Sequence, residues 1–239
     1  MPGDRAQSHV VGVALLLGVT VVAFGTLTAS IGTVVEGNAA RADTQRVADD
    51  LADAMEPVAV TGVNRGRVAF TEGRLHPVER DLRVLDESGV VRRVGVGGLV
   101  FRHGDQRVAS VAGAVTVGRN GSATLAARPP ITASRGAGVL VVGAARLGDP
   151  TGIGGTDVRT TIRTDVSHRR ASMGNGTYRV AVETRTPGAW ERYFRRQNAT
   201  TIRRSFDDDD GGASVVASYP GERVGYLVYH DLHAEVRGG

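Results

Sequence analysis

Apolar and polar positions divide the chain into three patterns. Residues 6 to 35 contain no Asp, Glu, Lys or Arg. As a helix rising ~1.5 Å per residue, this run would reach ~45 Å, against ~30 Å for bilayer hydrocarbon. Beyond it Val47, Leu51, Ala54, Met55 and Val58 fall at i, i+4, i+7, i+8 and i+11, one face of a helix, with Asp43, Arg46, Asp49, Asp50 and Asp53 on the other side. Pro57 disfavours helical geometry at Glu56 and ends this neck, and Gly37-Asn38 is a candidate kink. Unbroken from Gln7 to Glu56, the helix would be ~75 Å long.

After Pro57 the pattern changes to short Val-rich runs punctuated by Gly, Asn and Asp. Strands are predicted at 58–60, 67–70 and 82–85, then a hairpin turn at Asp86-Glu87-Ser88-Gly89 leading into 90–94. Runs 99–102 and 107–110 flank a turn at 103–105, and Asn120-Gly121 is a type I′ signal between 115–117 and 123–125. The apolar run 138–146 reads as a strand buried on both faces, and 158–163 and 178–183 as strands with one wet face. Thr186-Pro187 is an N-cap and N1 pair that opens a helix to about Gln197. Its Trp190, Tyr193 and Phe194 form one aromatic face, expected to pack on the sheet. Segments 213–219 and 223–236 close the chain as strands.

The expected class is therefore α+β: a long N-terminal transmembrane or assembly helix, then a mostly antiparallel β-rich head with one short helix. The expected segments are a leader at 1–6, a membrane or filament-core helix at 7–35, an amphipathic neck at 36–57 and a head at 58–239. An internal boundary is expected near 149–156, where Gly and Pro cluster.

Three readings of the N-terminal helix compete. A cleaved secretory signal has a core of about 7 to 15 apolar residues, and the stretch from Val10 to Val35 is longer. A plain signal anchor fits the length but leaves the polar Gln7-Ser8-His9 unexplained. Arg5-Ala6 before Gln7-Ser8 resembles the cut site of a class III (prepilin-type) signal peptide of archaeal type IV pilins, which would leave Gln7 as the new N-terminus. Bacterial pilins carry a Glu five residues into the mature chain; here that position is Val11, which points to the archaeal version. Inside the helix Gly18, Gly25 and Gly32 recur every seven residues, and Ala14-Gly18 and Gly25-Ala29 are small-xxx-small pairs that permit close helix packing. Glycine is also more frequent in transmembrane helices generally.

Composition adds three points. There is no Cys, which excludes disulfides and thiolate chemistry. All 29 basic residues are Arg, which suggests a GC-rich genome of the haloarchaeal kind, although the net charge of +4 is opposite to a halophile's acidic surface. Residues 1–57 carry net −4 and residues 58–239 net +8, so neck and head could attract one another between subunits.

Candidate chemistry is sparse. No His-rich metal motif, nucleophile elbow or phosphate loop occurs among the residues, and no cofactor or small-molecule substrate is implied. His230-x-x-His233 would point its rings to opposite faces of a strand. Asp207, Asp208, Asp209 and Asp210 form the one dense acidic cluster, a cation candidate that lacks the alternating spacing of an EF-hand. The Arg pairs 92–93, 169–170, 195–196 and 203–204 need not make one patch, so nucleic-acid binding is not expected. Asn120, Asn175 and Asn198 begin Asn-x-Ser/Thr sequons, glycan acceptors if the head is outside the cell.

The expected function is accordingly non-enzymatic: a membrane-anchored, pilin-like subunit with an extracellular head, assembling into a surface filament or pseudopilus for adhesion. The resemblance implies membrane lipid, other pilin-like subunits, a prepilin peptidase and pilus assembly machinery as partners. The alternative is a monomeric, single-pass, membrane-anchored extracellular binding domain.

Overall fold

A computed structural model describes residues 4–56, 61–119, 122–134, 136, 138–209 and 212–238; the side chains of 4–14 and 27–36 lie outside the description. The predicted strand at 58–60 and the Asn120-Gly121 turn fall outside it too. The chain divides into two compact units, 1–41 and 42–239. Helix α1 (Asp4–Met55) contributes residues to both units.

In the second unit the strands form two sheets. The first contains β1 (Gly62–Val78), β4 (Gly98–His103), β5 (Gln106–Val111), β6 (Ala114–Arg119), β7 (Ser122–Ala127), β8 (Ile131–Ala133), β9 (Val139–Arg146), β10 (Ile153–Gly176) and β14 (Arg223–Asp231). Their order is β7-β6-β5-β4-β1-β10-β14-β9-β8, and β15 (Glu235–Gly238) also pairs with β10. The second sheet contains β2 (Asp81–Asp86), β3 (Gly89–Gly95), β11 (Arg179–Thr184), β12 (Thr200–Arg204) and β13 (Ala213–Ser218), in the order β12-β13-β11-β2-β3. The β14–β9 ladder is parallel and the other described ladders are antiparallel.

Two apolar layers hold this unit together. Leu82, Val84, Val180, Val182, Val215 and Ala217 of the smaller sheet meet Val100, Val111, Leu140 and Val142 of the larger one. Helix α2 (Pro187–Arg196) adds Trp190, Tyr193 and Phe194 to that layer. The opposite face of the large sheet packs Val68, Leu75, Leu99, Phe101 and Ile162 against Val47, Ala48, Leu51, Ala54 and Met55 of α1. Strand β9 separates the layers, placing Ala144 in one and Ala145 in the other.

Local chemistry sets the connections. The Asp86 carboxylate accepts the Ser88 backbone N–H at 2.8 Å and its hydroxyl at 2.6 Å, and Gly89 takes φ +124°, which closes the β2–β3 turn. Ala112 and Gly113, both at positive φ, turn β5 into β6. Gly66 of β1 admits the helix: a Cβ there would lie 2.8 Å from Ala54 Cα.

Two expectations are corrected. The class is mostly β rather than α+β, since 58% of the fully described residues are strand and 21% helix. The strands outgrow their apolar runs because backbone ladders do not depend on side-chain type. β10 extends over 24 residues by pairing first with β1 and then with β14. The second correction concerns the membrane. No helix among the described residues is long and apolar enough to cross one. The transmembrane helix, the single-pass cell-membrane location with an extracellular head, and the membrane-held pilin are therefore not supported.

Candidate interaction surface

The most conspicuous feature of the first unit is uncovered apolar surface. Leu15, Leu16, Leu17, Val19, Val21, Val22 and Phe24 are each 62–70% exposed. At ~100° per residue these seven positions go right round the helix rather than forming a stripe. The hydroxyls between them are turned inward: Thr20 donates to Leu16 O at 2.6 Å and Thr26 to Ala23 O at 2.9 Å. Back-bonded hydroxyls need no outside polar partner, so this surface is apolar in effect as well as in composition.

Gly18 and Gly25 open shallow places in it, for a Cβ at either would meet nothing within 4 Å. Seven residues apart, they lie on nearly the same side of the helix. The side chains of Arg5, Ala6, Gln7, Ser8, Ala14 and Ala29, and the position Gly32, lie outside the described residues. The cleavage and packing roles expected of them therefore have no structural account.

Two of the sequon residues lie at the surface of the second unit. Asn175, exposed at the end of β10, donates from Nδ2 to Glu222 Oε2 at 2.9 Å. Asn198 follows α2 at φ +64°, its N–H bonded to Arg195 O at 3.0 Å. Asparagine tolerates this left-handed conformation well, so Asn198 has a structural reason to be asparagine. Asn120 lies outside the described residues.

The acidic cluster is engaged by arginine. Arg83, 1% exposed, reaches Asp81 at 2.9 Å, Asp208 at 2.8 Å and Asp209 at 2.8 Å. Arg93 adds Asp81 at 2.7 Å and Asp208 at 2.6 Å. Phe206 lies between the Arg83 and Arg204 guanidinium groups, 4.6 and 4.7 Å from its ring. Asp207 is exposed, and Asp210 lies outside the described residues. Among the described residues no group of three or more His, Asp or Glu side chains is placed to hold a metal ion.

A cleft of about 680 Å³ opens beside this network, lined among others by Arg80, Asp81, Arg93, Arg146 and Asp231. Its arginines are already engaged: Arg146 bonds Asp231 at 2.7 Å and Arg80 pairs with the fully buried Glu183 at 3.2 Å. Nearby, His230 of β14 faces not His233 but His168 of β10, with the two Nδ1 atoms 2.9 Å apart. Burial, then the neighbouring His168, hold the His230 imidazole below its ordinary pKa, and Asp231 opposes them. His233 leaves the strand at φ +42° and lies 3.0 Å through Nδ1 from Asp165 O.

Two of the arginine pairs, 195–196 and 203–204, meet at Glu191, and each of the pair 169–170 lies over a tyrosine. Arg169 sits over Tyr229 at 4.8 Å and Arg170 over Tyr226 at 5.5 Å, on alternate faces of β10. Arg203 bonds Glu191 at 2.6 Å, and Arg195 approaches the same carboxylate at 3.8 Å.

The chain has no match among the curated proteins or among the solved structures. A family model described as a family of unknown function, DUF7289, matches residues 5–235. That span takes in the described apolar surface of α1 and nearly all of the β-rich unit, so the chain belongs to the DUF7289 family.

Proposed function

We propose that the protein is a self-associating structural subunit, in which α1 packs against copies of itself in a filament-type assembly and the β-rich unit is displayed. This keeps the part of the pilin resemblance that needs no membrane. One observation carries it: seven large apolar side chains exposed around the whole circumference of residues 15–24. A helix apolar all round is stable in water only when covered on every side. Copies of the same helix offer matching apolar surface, and Gly18 and Gly25 give them places of close approach. The charge split, net −4 over residues 1–57 against net +8 over 58–239, favours contacts between copies over repulsion.

The test is sedimentation of the full-length protein, free of detergent, beside its Leu17→Glu and Phe24→Glu variants. Large assemblies in the parent protein and dissociation in both variants, with unchanged far-UV circular dichroism, are the expected results. A monomer at all concentrations, monomeric partition onto phosphatidylcholine vesicles, or assemblies indifferent to both substitutions would each overturn the reading.

A further inference from the structure

Arg107, on the β5 face that also carries Ala109 and Val111 into the inter-sheet core, is buried without a counter-charge. It is 6% exposed, its Nε is buried with no hydrogen-bond partner, and no described carboxylate pairs with it. Of the other buried arginines, Arg80 has Glu183, Arg83 has Asp81, Asp208 and Asp209, and Arg223, whose Nε is likewise buried without a partner, donates to Ser134 O at 2.8 Å. A buried charge is retained when something pairs with it.

The surroundings of Arg107 add positive charge. In the ladder register Arg107 lies opposite Arg102 of β4, and Arg102 opposite Arg74 of β1, so three guanidinium groups cross three neighbouring strands on one face. Arg80 and Arg185 come close from outside those strands, and burial together with these cations pushes Arg107 down to about 10, still protonated at neutral pH. His76, on the same face of β1 as Arg74, has a buried Nδ1 with no partner. The fully buried carboxylate of Glu183 is occupied by Arg80 and by the Asp81 backbone N–H at 3.2 Å.

We propose that Arg107 is the floor of an oxyanion-binding site, rimmed by Arg74 and Arg102, that takes a phosphate or carboxylate group. A planar guanidinium with free N–H groups matches either anion in a bidentate bond, and flanking arginines add long-range attraction. The site lies within the β-rich unit and is independent of α1 self-association.

Thermal unfolding of the full-length protein tests it, with sodium phosphate or sodium acetate titrated against sodium chloride at constant ionic strength. A saturable rise in Tm with phosphate assigns a phosphate-type ligand, and a rise with acetate alone a carboxylate. Arg107→Met should abolish either rise and melt no lower than the parent protein without anion, because it removes an unpaired buried charge. Arg102→Gln, at an exposed position, should weaken binding by ~10-fold and leaves a readout if Arg107→Met fails to fold. No saturable rise with either anion, or rises unaltered in Arg102→Gln and Arg107→Met, would overturn the site.

Discussion

The Asp43 carboxylate of α1 takes two bonds from Thr71 of β1, the backbone N–H at 2.8 Å and the hydroxyl at 3.1 Å. Seven residues on, Asp50 accepts the Ala69 N–H at 3.1 Å. Two carboxylates on one side of a helix thus hold a stretch of strand backbone that has no ladder partner on that side.

Asp43 is 2% exposed while Thr71 is exposed, so Asp43→Ala would remove both bonds and leave the Thr71 donors to water, at a cost of about 1 kcal/mol. Urea denaturation should show this loss. Thr71→Val, which removes only the hydroxyl, should cost less.

Gly66 is a contact position rather than a turn. Gly66→Ala would bring a methyl to 2.8 Å from Ala54 Cα and closer still to its side chain, destabilising by about 1–3 kcal/mol through overpacking. Ala54→Gly in the same chain should return part of that loss. Two losses that simply add would show that the methyls do not meet.

Arg83 and Asp208 should behave unequally although they are bonded to each other. Arg83→Met leaves the buried carboxylate of Asp209, 4% exposed, without its cation, Asp81 keeping Arg93, and should cost about 3–5 kcal/mol. Asp208 is 40% exposed, and Asp208→Asn should cost under ~1 kcal/mol. Chemical denaturation of the two variants separates these outcomes.

Stability should fall as pH drops below the ordinary histidine value of 6.5. His230 and His76 are both held under that value, in each case first by burial and then by neighbouring cations or the partner imidazole. The unfolded chain therefore takes up protons that the folded chain resists, so the contribution present above pH 6.5 is lost as pH falls toward the folded values. Unfolding free energies measured from pH 7 to pH 5 should slope this way, and His230→Gln should flatten the slope.

Legibility followed the physics of each signal. Helix α2 was plain, because Thr186-Pro187 and the i, i+3, i+4 spacing of Trp190, Tyr193 and Phe194 are local properties; it runs Pro187–Arg196 with all three rings buried. The β2–β3 turn was plain for the same reason. Asp43 was misleading: its charge placed it on the wet side of the helix, while the Thr71 N–H and hydroxyl draw it inward. Arg107 carried one faint sign, a charge at the inward position of an alternating strand, with nothing to show that its pair was missing.

Composition, apolar period and turn chemistry by themselves determined the α1 stripe at Val47, Leu51, Ala54 and Met55, most strand positions, and the Gly18–Gly25 repeat. Only the tertiary structure decided the mostly β class, the 24-residue reach of β10, the parallel join of β14 to β9, and which arginines lie beside a carboxylate. The reason is range: helix faces and turns are set by neighbours a few residues away, whereas ladders and ion pairs join residues such as Arg83 and Asp208, 125 positions apart.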